Sequence, residues 1–161
     1  MFVYLVHHGH ALHPGDDPQR PLSRRGREQS DTVSRRAAAL GVRPDVIWHS
    51  GKLRARQTAD AYRRACNPLA EFSATRWMQP DDPPRLADLL QVDTRDVMLV
   101  GHMPHLDRLL RRLVGSSPHG EDEPAGRTHA APQAAAFPLN GMVEVERTET
   151  GWIEIGRASC R

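Results

Sequence analysis

Three times in this chain a short apolar run stops at a turn carrying histidine and glycine. Phe2-Val3-Tyr4-Leu5-Val6 runs into His7-His8-Gly9-His10, Val46-Ile47-Trp48 into His49-Ser50-Gly51, and Val97-Met98-Leu99-Val100 into Gly101-His102. Apolar runs this short, bounded by turn residues, read as strands buried on both faces. Helical patterns lie between them. Residues 12–21 form a proline-rich loop, and Ser23 is a good N-cap for a helix over 24–40 that stops at Gly41. A second helix is predicted over 53–64, stopped by Asn67-Pro68, and a short third over 85–91. A fourth, over 106–113, puts Leu106, Leu109, Leu110 and Leu113 on one face. Residues 71–84 read as irregular. Segments 142–146 and 152–155 alternate apolar and polar around Thr150-Gly151, which predicts a closing hairpin. This succession predicts an α/β fold: a three-layer α/β/α sandwich on a mostly parallel sheet with an antiparallel C-terminal hairpin. A chain of 161 residues suits one domain, taken as 1–157 with 158–161 as a tail.

Composition excludes more than it suggests. A formal net charge of +2 is too small to argue for nucleic acid or a membrane surface. Lys52 is the only lysine, every other cationic side chain being arginine. Codon usage in a GC-rich genome accounts for that bias without any function, and arginine count alone is no evidence of a phosphate-gripping surface. Cys66 and Cys160 have neither metal-ligand nor CxxC spacing, so reduced thiols and a cytoplasmic location are expected. The apolar start reads as a core strand and not as a signal, and no run reaches transmembrane length. The stretch 116–136 is rich in Gly, Pro, Ala and charge, and reads as a long loop that is either functional or disordered.

In open α/β sheets, chemistry gathers at the carboxyl ends of the strands. If the three strands are neighbours, His7, His8 and His10 meet His49, Ser50, Arg54 and His102. Arginine offers paired planar donors to a phosphate, and imidazolium adds charge-assisted ones. A neutral histidine can attack phosphorus and carry the phosphoryl group. Metal binding is the competing chemistry for clustered histidines. His8 is the histidine expected to face a site, because Gly9 beside it has no Cβ and admits a substrate group or another backbone.

These residues carry a resemblance. The chain resembles the histidine phosphatase (phosphoglycerate mutase-like) superfamily, specifically its short SixA-type phosphohistidine phosphatase branch. The family opening Leu-Val-Arg-His-Gly-x-Ala is similar to Leu5-Val6-His7-His8-Gly9-His10-Ala11. Arg20-Pro21-Leu22-Ser23 follows, with Gly26 and Gln29 in the expected places. Ser50-Gly51-Lys52-Leu53-Arg54-Ala55-Arg56-Gln57-Thr58-Ala59 resembles the second motif, and Val100-Gly101-His102-Met103-Pro104 the third. The resemblance implies that His8 becomes phosphorylated and that Arg54 and His102 bind phosphate and stabilise the transferring group. It implies a contact from Arg20, no metal and no cofactor. The substrate it suggests is a phosphorylated protein, with phosphohistidine as the reactive group, or a small phosphate ester. Gly9 and Ser50 are carried as substrate-binding positions.

The sequence departs from the family at His7, where the pattern has a phosphate-gripping arginine. Histidine is shorter, lacks the fork and is only partly protonated at neutral pH. The expected consequence is weak phosphate binding and a slow or acid-shifted phosphatase. The rivals are a silent member that binds phosphorylated ligands, and a metal-dependent hydrolase using His7 with His10 or His102. No glutamate motif for a general acid is present, which leaves Asp81 and Asp82 as candidates by position, each equally readable as a solvated loop residue. Ser50 is expected to bond its turn or cap the helix, His49 simply to follow its strand, and His10 to lie on the rim. His13, His105, His119 and His129 are expected at the surface. Nothing in the sequence fixes an oligomeric state.

Overall fold

Ten elements follow one another in a computed structural model that describes residues 1–115 and 136–159. They are β1 (Phe2–His7), α1 (Arg24–Ala39), β2 (Val46–His49), α2 (Leu53–Cys66), β3 (Glu71–Ala74), α3 (Leu86–Val92), β4 (Val97–Gly101), α4 (His105–Gly115), β5 (Gly141–Thr148) and β6 (Gly151–Ser159). The sheet order is β3-β2-β4-β1-β5-β6. Pairings of β1 with β4, β2 with β4 and β2 with β3 are parallel; β5 pairs antiparallel with β1 and with β6. The α/β architecture with its closing hairpin is therefore as expected. The 116–136 loop up to residue 135, His119, His129 and Cys160 lie outside the described residues.

Strand alternation builds two cores. Val3 and Leu5 of β1, with Val97 and Leu99 of β4, face α3 and α4 in one cluster. Tyr4, Val6, Met98 and Val100 face α1 and α2 in the other. Helices thus cover both faces, which is why the parallel strands read as unbroken apolar runs.

Three sequence expectations are corrected. Residues 71–74 are not irregular: they form β3, in parallel register with β2 from Val46↔Glu71 to His49↔Ala74. Main-chain pairing holds this edge strand, since Glu71 and Ala74 are exposed and only Phe72 packs on a core. His105 is not a surface residue: it is 0% exposed. It lies four residues before Leu109 and eight before Leu113, on the stripe that α4 buries. Finally, β6 runs through Ser159, two residues into the segment read as a tail.

Candidate active site

Sheet order assembles the site. β4 lies between β1 and β2, so His102 emerges from the centre with His8 on one side and the Ser50–Arg54 turn on the other. The three parallel strands end on the same side of the sheet, as the doubly wound fold requires.

Two glycines let the first turn sit against α1. A Cβ on Gly9 would stand 2.6 Å from Ser30 Oγ and 2.8 Å from the Gly26 carbonyl, and one on Gly26 would run into the His10 carbonyl. Ser23 caps α1 as expected, its Oγ accepting from the Gly26 N–H at 3.0 Å. The Gly9 N–H donates to Thr58 Oγ1 at 3.0 Å, and Thr58 donates to the Arg54 carbonyl at 2.8 Å. Gly9 is thus a packing position whose amide ties β1 to α2, and it offers no bond of its own to a substrate.

His8 Nδ1 lies 2.7 Å from the Gly9 carbonyl oxygen. A carbonyl can only accept, so Nδ1 carries the proton and Nε2 keeps its lone pair. Arg54, 9% exposed, donates from Nε to that Nε2 at 3.3 Å. The His102 ring stands 5.0 Å from the His8 ring, centroid to centroid. Its Nε2 is 2.6 Å from Ser50 Oγ, which also accepts from the Lys52 N–H at 3.4 Å. Ser50 therefore orients His102 rather than capping α2. The Ser50 carbonyl is held in turn by Gln79 Nε2 at 2.9 Å.

His7 sits beside His8 with ring centroids 4.5 Å apart. Its Nδ1 accepts from the Asn140 N–H at 3.1 Å, which leaves Nε2 as the protonated nitrogen of a neutral ring. Burial is the main reason that the His7 pKa falls to about 3, with the charges of His8 and Arg54 adding to it. Burial likewise lowers His8 to about 4 against the Gly9 hydrogen bond, helped by Arg54, Arg20 and Lys52. His102 is lowered to about 2 by burial first, then by His8, Arg54, Lys52 and His7. The rings are neutral at physiological pH, so the positive charge of the site resides on Arg54 and on the Arg20 and Lys52 side chains.

Arg20 has a left-handed backbone at φ 50, and its Nε donates to the Leu12 carbonyl at 3.1 Å. Its charge lowers both His8 and Arg54, which places it at the edge of the site. Asp81 is exposed, and Asp82 Oδ2 accepts from the Gln79 N–H at 2.7 Å. Among the described residues neither aspartate bonds a site histidine. Asp82 instead fixes the loop that carries Gln79. His49 closes β2, its Nδ1 accepting from the Gly51 N–H at 3.1 Å, and His10 lies exposed on Ser23. Among the described residues no three His, Cys, Asp or Glu side chains are grouped so as to hold a metal ion. No helix among them is long and apolar enough to cross a membrane.

Thr58, Gln79, Asn140 and Lys52 shape the site without having been singled out for it. Thr58 and Lys52 lie inside the second motif, where a signal existed. Asn140 and Gln79 act from irregular segments that carry no pattern.

Residues 3–78 match the model of the histidine phosphatase superfamily (branch 1). The structure of SixA from Agrobacterium tumefaciens is 27% identical, with a TM-score of 0.75 over 98% of this chain and 97% of that one. The structure of the protein histidine phosphatase SixA complexed with tungstate is 23% identical, with a TM-score of 0.77 over 99% and 97% of the two chains. The mitochondrial serine/threonine-protein phosphatase Pgam5 of Drosophila simulans is 39% identical over 59 residues, 36% of this chain. This chain spans 20% of the length of that relative. The first half of the chain is thus similar to the histidine phosphatase superfamily, and the whole fold is similar to SixA-type structures.

Proposed function

We propose that this protein is a phosphatase that takes a phosphoryl group onto His8 Nε2 and passes it to water. The observation that carries the reading is the tautomer of His8. The proton held at Nδ1 by Gly9 leaves Nε2 as an unprotonated nucleophile, facing Arg54 and close to His102. In the first step the Nε2–P bond forms as the bond from phosphorus to the leaving group breaks. In the second, water attacks phosphorus, the Nε2–P bond breaks and inorganic phosphate leaves. Arg54 and Arg20 offset charge on the transferring oxygens. A neutral His102, oriented by Ser50, adds a hydrogen-bonding group on the opposite side of His8.

Phosphohistidine on a protein is the substrate class we favour. Its imidazole leaving group needs less protonation than an alkoxide, which suits a site where, among the described residues, neither candidate aspartate bonds a site histidine. A small phosphate ester is the second substrate class. No cofactor and no metal enter the scheme, and a cytoplasmic setting suits it. Residues 1–157 and the strand end through Ser159 act as one domain in this reading.

The neutral His7 gives the rival its one supporting observation. With no charge at position 7, phosphate capture is weaker than the family pattern provides, and binding without turnover is the alternative. Hydrolysis of an aryl phosphate from about pH 5 to 8 with chelator present, in wild type, His8→Ala and His7→Arg, separates the two. The phosphatase reading expects wild-type activity lost in His8→Ala and a lowered KM in His7→Arg. Phosphate binding without wild-type turnover, with turnover restored in His7→Arg, supports the binding protein instead.

A further inference from the structure

We propose that the Lys52 ammonium is a further phosphate-binding cation of this site, beside Arg54 and Arg20, supplying charge that His7 does not. The inference rests on the phosphatase reading above and names a binding residue that neither the motifs nor the comparisons assign.

Position 7 cannot serve. Its ring is neutral, and its Nδ1 is occupied by the Asn140 N–H. Arg54 is in place, but a phosphoryl dianion held by one buried guanidinium keeps a net negative charge. Arg20 is partly committed, since its Nε is bound to the Leu12 carbonyl.

Lys52 occupies the turn between the two groups that frame the site. It is the residue before α2, its N–H reaches Ser50 Oγ at 3.4 Å, and Ser50 Oγ reaches His102 Nε2 at 2.6 Å. Arg54, two residues on, meets His8 Nε2. Lys52 makes no side-chain cap to α2, and its ammonium has no ion pair among the described residues. Its charge opposes protonation of both His8 and His102, in keeping with its place in the turn between Ser50 and Arg54.

The chemistry suits the residue. Lysine is a compact charge on a flexible stem, without the fixed fork of arginine. It can follow the phosphoryl oxygens as they move from the leaving group to His8 Nε2.

The test is binding of inorganic phosphate, followed by calorimetry and ³¹P NMR, to wild type, Lys52→Met, Lys52→Arg and His7→Arg/Lys52→Met. Histidine ring titrations are recorded in parallel by NMR. Lys52→Met should weaken phosphate binding about tenfold, the scale of one lost charge contact. Lys52→Arg should restore most of it, and His7→Arg should rescue the Lys52→Met loss. His8 and His102 should titrate at higher pH in Lys52→Met, which a purely structural turn residue would not cause. Wild-type affinity in Lys52→Met with unmoved histidine titrations overturns the inference. Failure of the wild type itself to bind phosphate overturns the reading of the site on which it rests.

Discussion

His8 Nδ1 is bonded to the carbonyl of its own neighbour, Gly9, at 2.7 Å, and that contact selects the nitrogen that can attack. The selected nitrogen, Nε2, already touches Arg54 at 3.3 Å. In the proposed reaction, nucleophile and cation are therefore positioned before substrate arrives, the form of preorganisation that lowers a phosphoryl-transfer barrier.

Arg54 should be sensitive to conservative change. Arg54→Lys removes the Nε donor to His8 and the planar fork while keeping a charge. We expect kcat/KM for an aryl phosphate to fall roughly 10²-fold, the scale of losing one preorganised donor, with little change in Tm. A variant within about twofold of wild type would mean that the guanidinium is not at the reacting centre.

Ser50 fixes His102 through a 2.6 Å bond between buried atoms. Ser50→Ala leaves that ring without its partner, a loss of about 1–1.5 kcal/mol. Steady-state kinetics should show kcat reduced about five- to tenfold at nearly unchanged KM. An unchanged kcat would show that His102 needs no orientation from Ser50.

Gly9→Ala should damage stability more than any bond at that position suggests. The added Cβ meets Ser30 Oγ at 2.6 Å and the Gly26 carbonyl at 2.8 Å, and the carbonyl belongs to a helix backbone that cannot give way. Overpacking of this kind costs about 1–3 kcal/mol, so thermal denaturation should show a clear drop in Tm. A Tm equal to that of wild type would mean that α1 can move away from the first turn freely.

Acid should destabilise the fold through histidines held neutral. His102 is lowered to about 2, and burial also lowers His105, opposed by Asp82 and reinforced by Arg108. Below pH about 6.5 the unfolded imidazole takes up a proton that the folded one refuses, so stability falls as pH falls. The slope is about 1.4 kcal/mol per pH unit for each such histidine, until the folded group itself titrates. Both His105 nitrogens lack hydrogen-bond partners among the described residues, and the ring lies on the apolar stripe of α4. His105→Leu should therefore narrow the gap between Tm values measured near pH 5 and pH 7.5. A gap as wide as in wild type would place the acid sensitivity elsewhere.

How much of this was legible follows physical lines. The places of His8 and His102 could be read because each follows a doubly buried strand, and that of Arg54 because it lies in the first turn of the helix after β2; apolar runs flanked by polar turn residues are conspicuous. The α1 boundaries could be read because Ser23 and Gly41 end the helix by local geometry. β3 could not, since its place depends on main-chain pairing to β2 and only Phe72 marks it. His105 was misplaced because the phase of α4 was read from its leucines and not carried one residue back. The neutrality of His7 was out of reach: it comes from burial beside His8 and Arg54, with the tautomer set by the Asn140 amide, 133 residues away in sequence.

The central claim is that His8 Nε2 carries the phosphoryl group. Its most direct test is acid-free rapid quench of the protein turning over a ³²P-labelled phosphate donor, followed by peptide mapping and ³¹P NMR of the trapped species. The account predicts a base-stable, acid-labile label on His8 at Nε2, absent from His8→Ala. Turnover with no label on the protein, or a label that persists in His8→Ala, would contradict it.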